Sequence, residues 1–206
     1  MSFSINDLYD MAVLSADTYE EAHTPDWGMG NTEIYLTQLS HTQWVVAFRG
    51  TSASFNDILA DMRAIPWYHN KLGMVHKGFL LGGLSVWPVV RGYLKQHGPE
   101  KFTFTGHSKG GAEATVVAAL ASLEFGHIGG LVTFGSPRVG FSLNTKINLS
   151  EGVSRLVNAN DLVPRHPWPF WGYRHVGNET RLRGGSGNRF HDHKINAYIS
   201  AIRSLL

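Results

Sequence analysis

Apolar positions recur along this chain with two periods, and the switching between them lays out its elements. From Ile5 to Tyr19 they fall at helical spacing (Ile5, Leu8, Met11, Ala12, Ala16, Tyr19), which predicts a helix capped by Ser4. After a Pro/Gly-rich turn at 24–30, the stretches 33–39 and 43–48 read as strands joined by a polar turn. The run Trp44 to Phe48 reads as a buried central strand that stops at the sharp loop Arg49-Gly50-Thr51-Ser52. Helical spacing returns over Phe55 to Met62, with Phe55, Ile58, Leu59 and Met62 on one face. A long helix is expected over 75–95, disturbed at Pro88. Strand and helix patterns then alternate: strand 101–105, helix 109–125, strands 130–134, 153–158 and 173–176, and a closing helix over 194–206. Strands alternating with helices predict an α/β fold, a mostly parallel central sheet with helices on both faces.

Length and composition narrow this reading. The 206 residues suit one domain spanning 1–206, and 43% apolar content with six tryptophans is enough for a full core. The chain has no cysteine, which excludes disulfides, thiolate catalysis and cysteine-based zinc sites. A net charge of +2 without a dense Lys/Arg run does not point to nucleic acid. The first 22 residues carry acids and lack the basic and apolar regions of a secretory signal. No apolar run approaches a transmembrane span of roughly 20 residues. The expectation is a soluble protein, cytoplasmic or secreted with its signal removed or by another route.

The chemistry centres on Gly106-His107-Ser108-Lys109-Gly110, a G-x-S-x-G sequence between an apolar strand and an Ala-rich helix. A nucleophile on a tight strand-to-helix turn needs neighbours without bulk, and Gly106 and Gly110 supply that. The turn would set Ser108 at a helix N-terminus, where free N–H groups favour developing negative charge. The bland alternative is a Gly-rich turn that merely caps a helix. A phosphate-binding loop is excluded because Lys109 precedes the glycine pair, with no Ser/Thr following in register. The glycines of 125–130 precede a strand and open no helix, which excludes a dinucleotide fingerprint.

On such a scaffold the acid and the base follow the nucleophile in that order. Asp161 fits the acid, just past the strand 153–158 and before Pro164. A turn Asp that only caps a loop is its alternative. Of the later histidines, His166 is too near Asp161 to reach back, and His175 sits in an expected strand. His191 and His193 both stand in the loop before the last helix, and order along the chain does not choose between them.

At these residues the chain resembles the fungal-lipase-like family, lipase class 3, of the α/β-hydrolase superfamily. The similarity runs in order through Val46 to Thr51, Val75 to Phe79, Gly106 to Ser108, Thr133 to Gly140, Val157 to Pro164, Tyr173 to Gly177, and Asp192-His193 with Tyr198. The resemblance implies His193 as the base, and an oxyanion hole formed by Thr51 and the backbone N–H of Lys109. It implies a serine hydrolase of acyl or lipid esters, of lipase or esterase type, with no metal or organic cofactor and with transient contact with lipid interfaces. It also implies that 54–62, with the apolar face Phe55, Ile58, Leu59 and Met62, is a lid. Lys109 departs from the family's usual leucine, and one turn on stands Glu113, a candidate partner for it. An acyltransferase on the same three residues, or a non-catalytic binding module on a hydrolase scaffold, are the alternatives.

Overall fold

Seven strands pair in the order β1-β2-β3-β6-β7-β8-β9 in the computed structural model, which describes residues 3–20, 24–51 and 65–206. The strands are β1 (Trp27–Met29), β2 (Thr32–Ser40), β3 (Gln43–Phe48), β6 (Phe102–His107), β7 (Ile128–Phe134), β8 (Leu149–Asn158) and β9 (Glu179–Leu182). β1, β2 and β3 run antiparallel, and β3, β6, β7, β8 and β9 run parallel. The C-terminal ends of those five strands therefore share one sheet edge, and the loops that leave them gather there.

Alternation along the central strands divides the core. Val46 and Phe48 of β3, with Phe102 and Phe104 of β6, pack against α2 (Lys77–His97) and α3 (Lys109–Phe125). Val45 of β3 and Val132 and Phe134 of β7 face the opposite layer of α1 (Ile5–Asp17) and α5 (Ile195–Arg203). Each of these fully buried side chains contributes about 1.5–3 kcal/mol over its exposed state. Ser4 caps α1 as expected, through a reciprocal box with Asp7.

The structure departs from expectation in four places, the first being strand β1 (Trp27–Met29) inside the turn expected at 24–30. Residues 66–76 open with a hairpin, β4 (Pro66–His69) and β5 (Gly73–His76), and the long helix starts only at Lys77 and runs through Pro88. The expected strand at 173–176 is a single bridge, Gly140 to Arg174, and the last parallel strand is β9 instead. The departure at 173–176 has a plain cause: a short extended run that makes a single bridge has the same local pattern as a sheet strand. A short helix, α4 (Arg189–His193), also precedes the last one, which spans Ile195–Arg203. The candidate lid face of Phe55, Ile58, Leu59 and Met62 lies outside the described residues. Among the described residues no helix is long and apolar enough to cross a membrane.

Candidate active site

Strand β6 hands over to α3 at Ser108, whose φ of 58° and ψ of −125° are rarely adopted by a residue with a side chain. Such strain persists only where the surroundings hold it. The Ser108 N–H donates to Phe134 O at 2.9 Å, which ties the turn to β7. Close backbone crossings do the rest: a Cβ at Gly110 would lie 2.2 Å from Phe48 O, and one at Gly106 would lie 2.5 Å from Gly110 C. The end of β3 thus presses on the first turn of α3. Half-buried Thr51 follows β3, and Lys109 is the first residue of α3, whose N–H has no acceptor within the helix.

Asp161 follows β8, and His193 is the last residue of α4. The two meet Ser108 in one line: His193 Nδ1 lies 2.9 Å from Asp161 Oδ2, and His193 Nε2 lies 3.0 Å from Ser108 Oγ. All three are buried. A carboxylate only accepts, so Nδ1–H donates to Asp161, and Nε2 of the neutral ring accepts from the serine hydroxyl. That is the arrangement in which a serine can be deprotonated as it attacks.

Asp161 is held from three sides. Tyr198 Oη donates to Oδ2 at 2.6 Å, and the Val163 N–H donates to Oδ1 at 2.8 Å. Burial, and then the Asp161 charge, push the Tyr198 phenol well above its usual range, so it stays a donor. Gly135, at a φ of 58°, forms the floor: a Cβ there would lie 2.8 Å from Asp161 Oδ2 and 3.2 Å from His193 Nδ1.

His193 is held through its backbone. His107 Nε2–H donates to His193 O at 2.6 Å, and Tyr19 Oη donates to His107 Nδ1 at 2.9 Å. Burial, followed by repulsion from His193, keeps His107 well below the ordinary histidine range, and the neutral ring is the form that can both donate and accept here. Buried Asp192 ties the two loops together, with Oδ1 accepting from Ser186 N at 2.7 Å and Oδ2 from Asn160 N at 3.2 Å.

The other histidines are elsewhere. His191 is largely exposed, 4.0 Å from Asp192. His166 donates to Leu162 O and His175 to Pro164 O. Tyr198 and His107 stand beside motif residues in the sequence, which by itself gives neither a role. Tyr198 had a signal, its place five residues beyond His193 on the following helix. Tyr19 had none, because its partner lies 88 residues away. Lys109 turns its side chain from Ser108 toward Glu113 Oε1, 2.6 Å away, and Asn31 O, 2.8 Å away. Among the described residues no cluster of His, Asp and Glu could hold a metal ion.

The sequence matches the model of the family described as Lipase (class 3) over residues 45–171. A secreted mono- and diacylglycerol lipase of Fusarium solani is 39% identical over 121 residues, covering 54% of this chain and 35% of that protein. A lipase of Rhizomucor miehei is 35% identical over 153 residues, covering 68% and 42%. The chain therefore spans about two fifths of the length of these relatives. The Rhizomucor miehei lipase–propeptide complex superposes with a TM-score of 0.72 at 28% identity, over 86% of this chain and 68% of that one. A triacylglycerol lipase with a serine-protease triad as its catalytic centre superposes with a TM-score of 0.73 at 27% identity, over 86% and 80%.

Proposed function

Because the chain belongs to the class 3 lipase family, we propose that it is a serine hydrolase of carboxylic esters, a lipase or esterase acting on acyl glycerol lipids or their analogues. The observation that carries this reading is the unbroken hydrogen-bonded line from Ser108 Oγ through His193 to Asp161, set at the N-terminus of α3. The names of the relatives, lipases of fungi and plants, support the substrate class.

In this mechanism Ser108 Oγ attacks the ester carbonyl carbon while His193 Nε2 takes its proton. Asp161 stays ionised and stabilises the imidazolium. The carbonyl oxygen becomes an oxyanion, which we assign to the N–H of Lys109 and to Thr51, with the α3 dipole adding to them. Collapse breaks the ester C–O bond, and His193 gives its proton to the departing alcohol. Water then attacks the acyl-enzyme with His193 again as base, which frees the acid and restores Ser108.

The test is turnover of p-nitrophenyl and glyceryl esters by the wild type and by Ser108→Ala, His193→Ala and His191→Ala. Ser108→Ala and His193→Ala should each lose on the order of 10⁴–10⁶-fold in kcat, and His191→Ala little. Retained turnover in Ser108→Ala would refute the nucleophile. Transfer of acyl groups to added alcohol in preference to water would make the chain an acyltransferase, and no turnover of any ester by folded wild type would make it a binding module.

A further inference from the structure

Large aromatic side chains stand exposed on segments that gather at the sheet edge carrying Ser108, and they are held there. Trp168, Phe170 and Trp171 lie in the loop that leaves β8 just after Asp161, and are 43%, 74% and 50% exposed. Trp168 and Phe170 stack at 6.2 Å, and Trp171 meets Phe170 edge-on at 5.4 Å. Trp67 and Tyr68 of β4 are 50% and 68% exposed. The two groups belong to one strip of neighbouring segments. β4 pairs with β5, Val75 of β5 bridges to Gly140, and Gly140 bridges to Arg174. Phe141 meets the Tyr173 ring edge-on at 5.1 Å.

Three clamps stop this loop from folding its aromatics inward. Arg138 donates to Arg165 O and to Pro167 O, Arg174 donates to Pro169 O at 2.6 Å, and His175 donates to Pro164 O at 2.8 Å. A rigid pedestal carrying contiguous exposed aromatic rings marks an interaction surface, not incidental exposure.

The charge of the strip selects the partner. Segments 65–78, 136–142 and 162–178 contain no Asp or Glu, yet carry Lys71, Lys77, Arg138, Arg165 and Arg174. Among the described residues none of these five cations is in an ion pair. Lys77 lies over the Trp67 ring, 4.7 Å from its centre. Arg138 and Arg174 are turned to the loop's carbonyls, which leaves Lys71, Lys77 and Arg165. Rings with one apolar and one wet side, mixed with these cations, suit the headgroup layer of an anionic lipid surface.

We propose that the Trp67–Tyr68 hairpin and the Trp168–Trp171 loop form a fixed docking face for an anionic lipid surface. It presents the mouth of the Ser108 site to esters embedded in that surface. The proposal rests on the ester-hydrolase reading for its purpose, and its test does not require hydrolysis.

Co-sedimentation with vesicles of ether-linked phosphatidylcholine, alone or mixed with ether-linked phosphatidylglycerol, measures binding to lipid that the enzyme cannot cleave. The wild type should bind the mixed vesicles, bind phosphatidylcholine alone far less, and be released by high salt. Lys71→Gln with Arg165→Gln should weaken binding to the mixed vesicles about 30-fold, from roughly 1 kcal/mol for each cation. Tyr68→Ser with Phe170→Ser, taken from the two most exposed rings, should weaken it about 100-fold. Both pairs should keep wild-type turnover of a short soluble ester, which shows that they fold. Undiminished vesicle binding by Tyr68→Ser/Phe170→Ser, or equal binding of the wild type to both vesicles, would overturn the proposal. Displacement from mixed vesicles by a single-stranded oligonucleotide would overturn it in favour of a nucleic-acid surface. Turnover of soluble esters without vesicle binding would sink the docking face alone, and vesicle binding without turnover of any ester would sink the hydrolase reading alone.

Discussion

Replacing Lys109 by leucine isolates a buried charge beside the candidate oxyanion site. Glu113 is fully buried, whereas the Lys109 side chain keeps 23% of its surface exposed. Glu113 Oε1 accepts from Lys109 at 2.6 Å and from Thr32 Oγ1 at 3.0 Å, while Oε2 has no hydrogen-bond partner among the described residues. Burial raises the Glu113 carboxyl above its usual range, and Lys109 pulls it part of the way back. Breaking a buried ion pair from one side costs about 3–5 kcal/mol, because the other charge is stranded. The partial exposure of Lys109 puts the expected loss near the lower end, about 3 kcal/mol. For a chain of this length that is a fall of about 6–12 °C in Tm. The sign of the pH dependence follows from linkage. A carboxyl with its folded pKa above its unfolded value keeps its proton in the folded chain across the interval between them. Stability therefore falls as pH rises through that interval. Lys109→Leu widens the interval upward, so its deficit should be largest at neutral pH and shrink toward the unfolded value of 4.5. Lys109→Leu/Glu113→Leu removes both charges and should return to within about 1 kcal/mol of the wild type. Urea unfolding of wild type, both single variants and the double variant, at neutral pH and at about pH 5, measures the cycle. A double variant as unstable as Lys109→Leu would refute the stranded-charge argument, as would a deficit unchanged by pH.

Two further outcomes follow from the buried network. Tyr198→Phe removes the 2.6 Å bond to Asp161 and keeps the edge-on contact with Phe134, so it should lose about 1.5–3 kcal/mol in urea unfolding. Its kcat should fall by less than about 10-fold, because the Asp161–His193 bond remains; wild-type stability would show that Tyr198 does not hold the acid. Burial, with Arg155 and Arg138 nearby, pushes His175 down to about 3 from an ordinary 6.5. Between those values the unfolded chain takes a proton that the folded chain refuses, so stability falls with acidity by about 1.4 kcal/mol per pH unit. His175→Gln, whose amide can still donate to Pro164 O, should remove that slope relative to the wild type; parallel acid-unfolding curves would refute it.

Local sequence went furthest where function depends on neighbours in the chain. The turn at Ser108 is written in Gly106 and Gly110, and the structure shows why: a Cβ at Gly106 would strike Gly110, and one at Gly110 would strike Phe48 O. The helix 109–125 was legible to the residue, since a glycine-flanked start and an Ala-rich body need no distant partner. The pairing of Lys109 with Glu113 was legible too, as a contact across one helical turn. Order along the chain left His191 and His193 equal, because side-chain direction on a five-residue helix depends on what the helix packs against. Only the folded chain decides that, turning His193 inward to Asp161 and leaving His191 in solvent.

What tertiary structure alone determined is long-range. The hairpin at 66–76 and strand β9 took the place of an expected helix start and of a strand at 173–176, since extended segments acquire their identity from the neighbours they pair with. Tyr19 supports His107 across 88 residues, and Tyr198 reaches back 37 to Asp161. The aromatic residues of the loop after Asp161 were visible as composition. Their exposure was not, because it follows from clamps by Arg138, Arg174 and His175 on backbone carbonyls, and a carbonyl is the same in every residue. The strained turn at Ser108 was therefore readable from residues close together in sequence. The orientation of Asp161 and His193 was set by side chains distant in sequence, and the exposure of the aromatic loop by backbone groups that sequence does not distinguish.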